Sequence, residues 1–310
     1  MTTSGDLVLD EATAASLLPE RDPRGHKGMF GRVLVVAGSL DYAGAALMAG
    51  AAALRAGSGL VTLCVPKSLQ PVVAGRVPEL ITRGLPEVAP GELDGRAAAD
   101  DLAEMRADAL LVGPGLAPTR GTTRMSEALL ASEGPPTVVD AGALEAVSRV
   151  ARWWTRISRP VIVTPHPGEF ARLGREVTDD DEARREAAVA AAHDWGVTVV
   201  LKGAHTVVAA GDHVAVAPFE VPALGTGGSG DVLGGIITSF VGQGLAPFEA
   251  AALGVYVHAR AGDDLSVHLG DAGLMATDLL PAVPRVRRHL EQLRTGGTSM
   301  GFEAPRGTDA

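Results

Sequence analysis

The chain has 310 residues, of which 46% are hydrophobic and 4% aromatic, and its formal net charge is −10. This length suits one large α/β domain or two small ones, and the negative charge argues against nucleic acid or an anionic membrane as a partner. A single cysteine, Cys64, excludes an internal disulfide. Because the chain lacks a signal-like N-terminus and a membrane-length apolar run, we expect a cytoplasmic protein.

The sequence predicts one main domain with short extensions. We expect residues 1–23 to be an N-terminal leader with a helix over 11–18, residues 24–293 to be a single α/β domain, and residues 294–310 to be a disordered tail. The basic, glycine-punctuated stretch at 24–31 is either a solvated loop or a flexible flap near an anionic ligand. No internal repeat or linker divides the remainder.

Short apolar runs rich in β-branched residues predict buried strands at 32–37, 60–65, 109–112, 137–139, 160–163 and 196–201. A hairpin is predicted from 206–210 and 213–217. Helices are expected between the strands, among them 44–56, 181–195 and 246–261. Alternation of strand and helix implies right-handed βαβ units around a central, mostly parallel sheet.

Glycines and polar side chains follow the predicted strands at the points where they end. They include Gly113 to Gly115, Asp140, His166 and Lys202. In open α/β sheets this edge is where ligands bind. Each residue also has an ordinary interpretation: Lys202 could reach solvent, and Asp140, His166 and Glu169 could cap helices. Their joint occurrence at strand ends favours a binding site.

The most distinctive stretch is the glycine-dense loop 225–235, which leads into a helix predicted to begin near Asp231. Free N–H groups at a helix N-terminus bind anions, and glycines let the backbone approach a ligand closely. We expect an anion hole at Gly227, Gly228, Ser229 and Gly230. A phosphate would repel Asp231, so its carboxylate is expected to face a hydroxyl beside the phosphate, as a general base. The alternative is a helix entry with an ordinary first-turn acid.

Three familiar phosphate or nucleophile motifs do not account for this loop. The G-x-G-x-x-G spacing follows residues 218–224, whose two prolines make a poor strand, so a dinucleotide fingerprint is disfavoured. The chain has no Gly-Lys-Ser/Thr of a P-loop, and the serine at 229 is not in a G-x-S-x-G elbow.

Together the motifs resemble those of the ribokinase-like superfamily, over residues 24–285. Within it they are similar to the ADP- or ATP-dependent NAD(P)H-hydrate dehydratases. The narrowest landmarks are Thr164-Pro165-His166-Pro167-Gly168-Glu169 and the stretch 38–46; the others are 26–31, 56–62, 113–116, 202–206 and 226–233. The resemblance implies a three-layer α/β/α fold. It also implies repair of hydrated nicotinamide cofactors: a nucleotide phosphorylates the C6 hydroxyl of the S-epimer, and phosphate elimination restores NADH or NADPH.

The resemblance further implies roles for individual residues. Asp231 would be the catalytic base. Lys202, Gly203, Ala204, His205, Thr206 and Gly230 would bind the nucleotide, and Ala45, Gly113, Gly115, His166 and Asp231 would bind NADHX or NADPHX. Mg²⁺ and ADP or ATP would be the cofactors, with ADP as the better donor. No residue is assigned as a direct metal ligand, and Asp140 and Glu169 are the candidates for contact with the ion through water. A homotetramer and a separate epimerase as pathway partner are also implied.

Two departures from the family pattern weaken parts of this assignment. Position 142 is glycine where a second acid after Asp140 is expected, so a paired-acid magnesium site is in doubt. Residues 221–225 differ from the usual run before the anion hole, which leaves their contacts open. Two other functions stay in view: a vitamin kinase, such as a hydroxyethylthiazole or pyridoxal kinase, and a nucleotide sensor without catalysis.

Overall fold

The computed structural model describes residues 6–296. The strands are β1 Asp6–Val8, β2 Arg32–Val36, β3 Leu60–Pro66, β4 Ile81–Leu85, β5 Glu87–Ala89, β6 Glu92–Leu93, β7 Ala109–Val112, β8 Thr137–Val139, β9 Val161–Val163, β10 Thr198–Leu201, β11 Val207–Ala210 and β12 His213–Val216. The helices are α1 Glu11–Leu17, α2 Ala43–Arg55, α3 Gln70–Val73, α4 Gly95–Ala103, α5 Arg120–Ala131, α6 Ala141–Ser148, α7 Pro167–Arg172, α8 Asp181–Trp195, α9 Ser229–Gly242, α10 Pro247–Leu269 and α11 Ala276–Arg294. Two 3₁₀ turns span Trp153–Arg156 and Pro222–Leu224.

Ten of these strands form one sheet in the order β1-β12-β11-β10-β9-β8-β7-β2-β3-β4. All neighbouring pairs are parallel except the two that involve β11. The remaining strands, β5 and β6, form a small hairpin of their own. The predicted central, mostly parallel sheet is therefore confirmed.

Helices cover both faces of the sheet, because successive strand side chains point to opposite faces. In β2, Val33 and Val35 pack with α2, α9, α10 and α11, whereas Leu34 and Val36 pack with the layer that contains α4 to α8. Burial on both faces explains why this strand reads as a continuous apolar run. The fold has the three α/β/α layers that the resemblance implied.

The helix that carries the glycine loop is held by unusually close contacts. A Cβ at Gly235 of α9 would overlap the carbonyl oxygen of Ala49 in the alanine-rich α2. A Cβ at Gly254 of α10 would lie 2.5 Å from Ile237 Cγ1. Small residues thus let α9 sit against both neighbours, and the position of its N-terminus is fixed by packing.

The other helical layer contains all three tryptophans of the chain. The rings of Trp153, Trp154 and Trp195 have centroids 5.7–6.2 Å apart, and Phe170 of α7 lies 5.7 Å from Trp195. This aromatic cluster packs behind α7, whose first residues reach the carboxyl edge of the sheet.

The N-terminal segment forms regular structure from residue 6 onwards, and the description ends at residue 296. Residues 6–18, within the segment assigned to a leader, contribute β1, which pairs with β12, and α1, which packs on α11. Of the tail predicted to be disordered, residues 297–310 lie outside the described range. Within residues 6–296, no helix is both long and apolar enough to cross a bilayer.

Candidate active site

The glycine-rich loop ends at Gly228, the N-cap of α9, which has a φ of +93°. A side chain there would meet Met48 of α2 and would be strained at this φ, so glycine is required. The helix begins at Ser229, two residues before the predicted start, because the small residues 229 and 230 already form its first turn. First-turn N–H groups lack helical acceptors and carry the positive end of the dipole, which suits an anion.

Lys202, which follows β10, is the cation beside this loop. Its Nζ lies 2.9 Å from Asp140 Oδ1 and 3.5 Å from Glu169 Oε2. A Cβ on Gly230 would be 3.5 Å from the same Nζ, so the ammonium faces the first turn of α9. Asp140 occupies the N-cap position of α6 without capping it, since its carboxylate binds Lys202 instead.

These charges set the protonation of Asp231, in the first turn of α9. Burial raises the pKa of Asp231 to about 7, with further upward effects from Asp140 and Glu169 and a downward effect from Lys202. Burial alone would lower the pKa of Lys202, but the two carboxylates leave it raised, so the lysine stays charged. A carboxylate that exchanges its proton near neutral pH is suited to general base catalysis.

The raised pKa of Asp231 also predicts how stability depends on pH. The folded pKa of about 7 lies above the ordinary value of 3.8, so folding favours the protonated acid. Its contribution is complete below pH ~4 and is lost as pH rises to ~7 and beyond. Replacing Asp231 with asparagine should therefore raise Tm at pH 8 by about 3–10 °C and change it little at pH 4, as measured by thermal melting. A uniform gain at both pH values would contradict this.

His166 and Glu169 form a capping box at the start of α7. His166 Nδ1 accepts from the Gly168 N–H at 3.0 Å, and Glu169 Oε2 accepts from the His166 N–H at 2.8 Å. The capping roles considered for both residues are confirmed. Glu169 additionally pairs with Lys202, so this helix cap belongs to the charged cluster.

A cavity of ≈ 680 Å³ opens beside Lys202 and the glycine loop. Its lining includes polar groups from Lys202, Thr206, Thr226 and Ser229 and apolar side chains of Phe219, Leu224, Val255 and Ala259. The volume is in the range of pockets for drug-sized ligands. A lining with both polar and apolar groups suits a nucleotide, which has charged phosphates and a largely apolar base.

The three small residues expected at the second substrate lie together at the carboxyl end of β7. Gly115 has a φ of +64°, and its Cβ would lie 2.8 Å from Ala45 Cβ. A Cβ on Gly113 would overlap the carbonyl oxygen of Asp140. The backbone of Asp140 thus contacts these small residues, and its carboxylate binds Lys202. None of the three lines the 680 Å³ cavity.

Two predicted features lie elsewhere. The His205 side chain is held between Asp181 at 2.8 Å and Glu220 at 3.5 Å and does not line the cavity, although Gly203, Ala204 and Thr206 do. The basic stretch 24–31 precedes β2, and a Cβ on its last residue would overlap the carbonyl of Gly242, where α9 ends. Within this chain the stretch lies away from the ligand edge, because a segment before a parallel strand is at the opposite end of the sheet; the flap hypothesis stays a prediction.

His258 of α10 lines the same cavity and was not identified from the sequence. Its Nε2 lies 3.0 Å from Ser229 Oγ, and both residues are buried. Burial lowers the pKa of His258 to about 4, against a smaller upward effect of the neighbouring Ser229. The sequence feature that could have identified it is the spacing of Gly254, His258 and Gly262, which places all three on one face of a helix.

Comparison with known proteins gives a consistent result. The family model described as NAD(P)H-hydrate dehydratase matches residues 33–285. The bifunctional NAD(P)H-hydrate repair enzyme Nnr of Moorella thermoacetica is 45% identical over 289 residues, which cover 92% of this chain and 54% of that protein. The ADP-dependent (S)-NAD(P)H-hydrate dehydratase of Xanthomonas campestris pv. campestris is 39% identical over 282 residues, covering 88% and 94%.

Among solved structures, an ADP/ATP-dependent NAD(P)H-hydrate dehydratase from Bacillus subtilis, co-crystallized with ATP and Mg²⁺, superposes with a TM-score of 0.80. It is 31% identical, and the match covers 94% of this chain and all of that one. The chain spans about half the length of the bifunctional curated relatives it matches.

Proposed function

The chain belongs to the NAD(P)H-hydrate dehydratase family, and on that basis we propose that it dehydrates the S-epimer of NADHX and NADPHX in a reaction that consumes a nucleotide. The observation that carries the proposal is Asp231, a carboxylate with a pKa of about 7 at the mouth of an anion-binding loop. A pure anion-binding loop gains nothing from such a group. A reaction that removes a hydroxyl proton while a phosphoryl group arrives requires one.

The proposed reaction has two steps. Asp231 takes the proton of the C6 hydroxyl as its oxygen attacks the terminal phosphorus, forming an O–P bond while the bond to the nucleotide breaks. The C6–O bond then breaks, inorganic phosphate leaves, and loss of a proton from the adjacent carbon restores the ring double bond. The N–H groups of 227–230 and the Lys202 ammonium stabilise the transferring phosphate, since phosphoryl transfer depends mainly on positioning and charge neutralisation.

The two substrates would occupy different sides of Asp140. The nucleotide fits the 680 Å³ cavity, with its base against Phe219 and Leu224 and its phosphates near Lys202 and Gly230. The nicotinamide ring would enter beside Ala45, Gly113 and Gly115, and His166, which also lines the nucleotide cavity, would lie between the two substrates. The absence of Cβ atoms at these two glycines lets the turn pack directly against Asp140 and Ala45, which fixes the backbone edge that the ring would approach.

A magnesium ion is expected to arrive with the nucleotide, as in the Bacillus subtilis relative crystallised with ATP and Mg²⁺. Among residues 6–296, no three His, Cys, Asp or Glu side chains are grouped to bind a metal directly. Asp140 and Glu169 both pair with Lys202 and so fit an ion that is held mainly by phosphates and water. Such an ion would neutralise phosphate charge, with the two carboxylates as partners of its water shell.

The direct test is incubation with hydrated NADH, Mg²⁺ and either ADP or ATP. We expect recovery of the reduced-nicotinamide absorbance, with ADP as the better donor by kcat/KM, because the Xanthomonas relative is an ADP-dependent dehydratase. A tenfold preference for ATP, worth about 1.4 kcal/mol in the transition state, would overturn only the donor assignment. Net phosphorylation of a vitamin alcohol without recovery would favour the kinase alternative, and nucleotide binding without turnover the sensor.

We propose a homotetramer in the cytoplasm, where the reduced cofactor pool would supply the substrate. Relatives such as the Moorella enzyme are named as bifunctional repair enzymes. We infer that an epimerase supplies the S-epimer to this dehydratase.

A further inference from the structure

His258 lies behind the anion-binding loop and contacts it through Ser229, the first residue of α9. The Nε2 atom is 3.0 Å from Ser229 Oγ, and the two side chains belong to residues that are 7% and 5% exposed. This buried histidine therefore contacts the first turn of the anion-binding helix, and both it and Ser229 line the cavity. The proposed reaction, as described above, gives this contact no role.

The position of His258 is fixed by its neighbours on one face of α10. Residues 254, 258 and 262 follow at four-residue spacing and share a face of the helix. A Cβ on Gly254 would lie 2.5 Å from Ile237 of α9, and one on Gly262 would lie 2.6 Å from Leu224, just before the loop. The helix is therefore anchored on both sides of the loop, and His258 is held between the two anchors.

The imidazole is neutral, because burial lowers the pKa of His258 to about 4. A neutral imidazole carries one N–H, so its Nε2 either donates to Ser229 Oγ or accepts from it. If Nε2 donates, the hydroxyl proton of Ser229 is free for a phosphate oxygen. If Nε2 accepts, Ser229 would present only lone pairs to the phosphate and would repel it.

We propose that His258 is a positioning residue that donates Nε2–H to Ser229 Oγ and so directs the Ser229 hydroxyl proton to the transferring phosphate. This inference rests on the proposed function. It adds a side-chain donor to the backbone N–H groups of the anion hole. The donor is most valuable in the transition state, where charge spreads over the phosphoryl oxygens.

The test is a double-mutant cycle with His258→Leu, Ser229→Ala and the double variant. Loss of one hydrogen bond to a charged group should lower kcat for dehydration about 10- to 100-fold in each single variant. The double variant should be no slower than Ser229→Ala alone, because His258 acts through that serine. The nucleotide KM should change less than about twofold, and His258→Gln, which keeps a donor, should recover most of the rate.

His289→Gln is the matched control, since His289 also binds a side chain, Glu11 at 2.7 Å, but lies outside the site. It should retain wild-type kcat. Multiplicative losses in the double variant, or wild-type kcat in a folded His258→Leu protein, would overturn the positioning role while the dehydratase assignment stands.

A binding measurement separates the inference from the proposed function. Calorimetric titration with nucleotide plus aluminium fluoride, a mimic of the transferring phosphoryl group, requires no turnover. We expect His258→Leu and Ser229→Ala each to weaken the mimic about tenfold, with less than about twofold effect on the nucleotide alone. If the wild type fails to dehydrate NADHX, this titration still decides the role of His258, and equal affinity for the mimic in all proteins would refute it.

Discussion

Replacing Asp231 with asparagine is expected to lower kcat for dehydration about 10²- to 10⁴-fold, the usual contribution of a general base. Asparagine keeps the size and polarity of the side chain but cannot take the proton of the C6 hydroxyl. Nucleotide affinity should stay nearly unchanged, because Asp231 does not line the nucleotide cavity. Steady-state kinetics on hydrated NADH, together with calorimetric nucleotide binding, measure both effects.

The dependence of kcat on pH is a second test of the role of Asp231. With its pKa near 7, Asp231 is ionised and active as a base above that value, so kcat should rise as pH increases through about 7. This rise should be absent from the residual activity of the asparagine variant. Asp100→Asn, an exposed acid paired with Arg96 on α4, is the control and should behave as the wild type. Near wild-type turnover in Asp231→Asn would remove this residue from the mechanism.

Replacing Lys202 with methionine is expected to have an effect of similar size, about 10²- to 10³-fold in kcat. The phosphate would lose its cation, and Asp231 would lose the charge that lowers its pKa, so less of the base would be ionised. The variant should also be destabilised by about 3–5 kcal/mol, because Asp140, only 1% exposed, would be left without its partner. Thermal melting and kinetics on the same preparation measure the two losses.

A compensating substitution separates stability from catalysis at Lys202. Adding Asp140→Asn to Lys202→Met removes the unpaired charge, so Tm should return toward the wild-type value. The rate should stay low, because the cation beside Gly230 is still missing. Lys67→Met, an exposed lysine after β3, is the control and should change neither quantity. Recovery of both stability and rate in the double variant would show that Lys202 is only structural.

The parts of the fold that the sequence predicted well are those decided by local patterns. The fully buried β7 and β8 have the predicted bounds, and α8 begins and ends as predicted. Its ends have local causes: Asp180 accepts from the Ala183 N–H, and Gly196 closes the helix with a φ of +65°. Such signals act within a few residues and are therefore readable from one sequence.

Elements that depend on distant partners were missed. Strand β4 was not predicted, because its alternating exposure at the edge of the sheet gives no apolar run. The three residues of β1 become a strand only by pairing with β12, about 200 residues away. At the site, the motifs located Lys202 and Asp231, but not the ion pair with Asp140 that sets their charges. His258 was missed for the same reason, since its partner Ser229 lies on another helix.

The aromatic cluster behind α7 has an optical consequence. All of the indole fluorescence of the protein arises from Trp153, Trp154 and Trp195, which lie together. Phe170, which contacts Trp195, directly follows Glu169 in the chain. A shift of α7 when ligands bind would alter the surroundings of these rings and hence their emission. Intrinsic tryptophan fluorescence would therefore report movements next to the site without an added label. Rearrangements confined to the helices on the other face of the sheet would leave that emission unchanged.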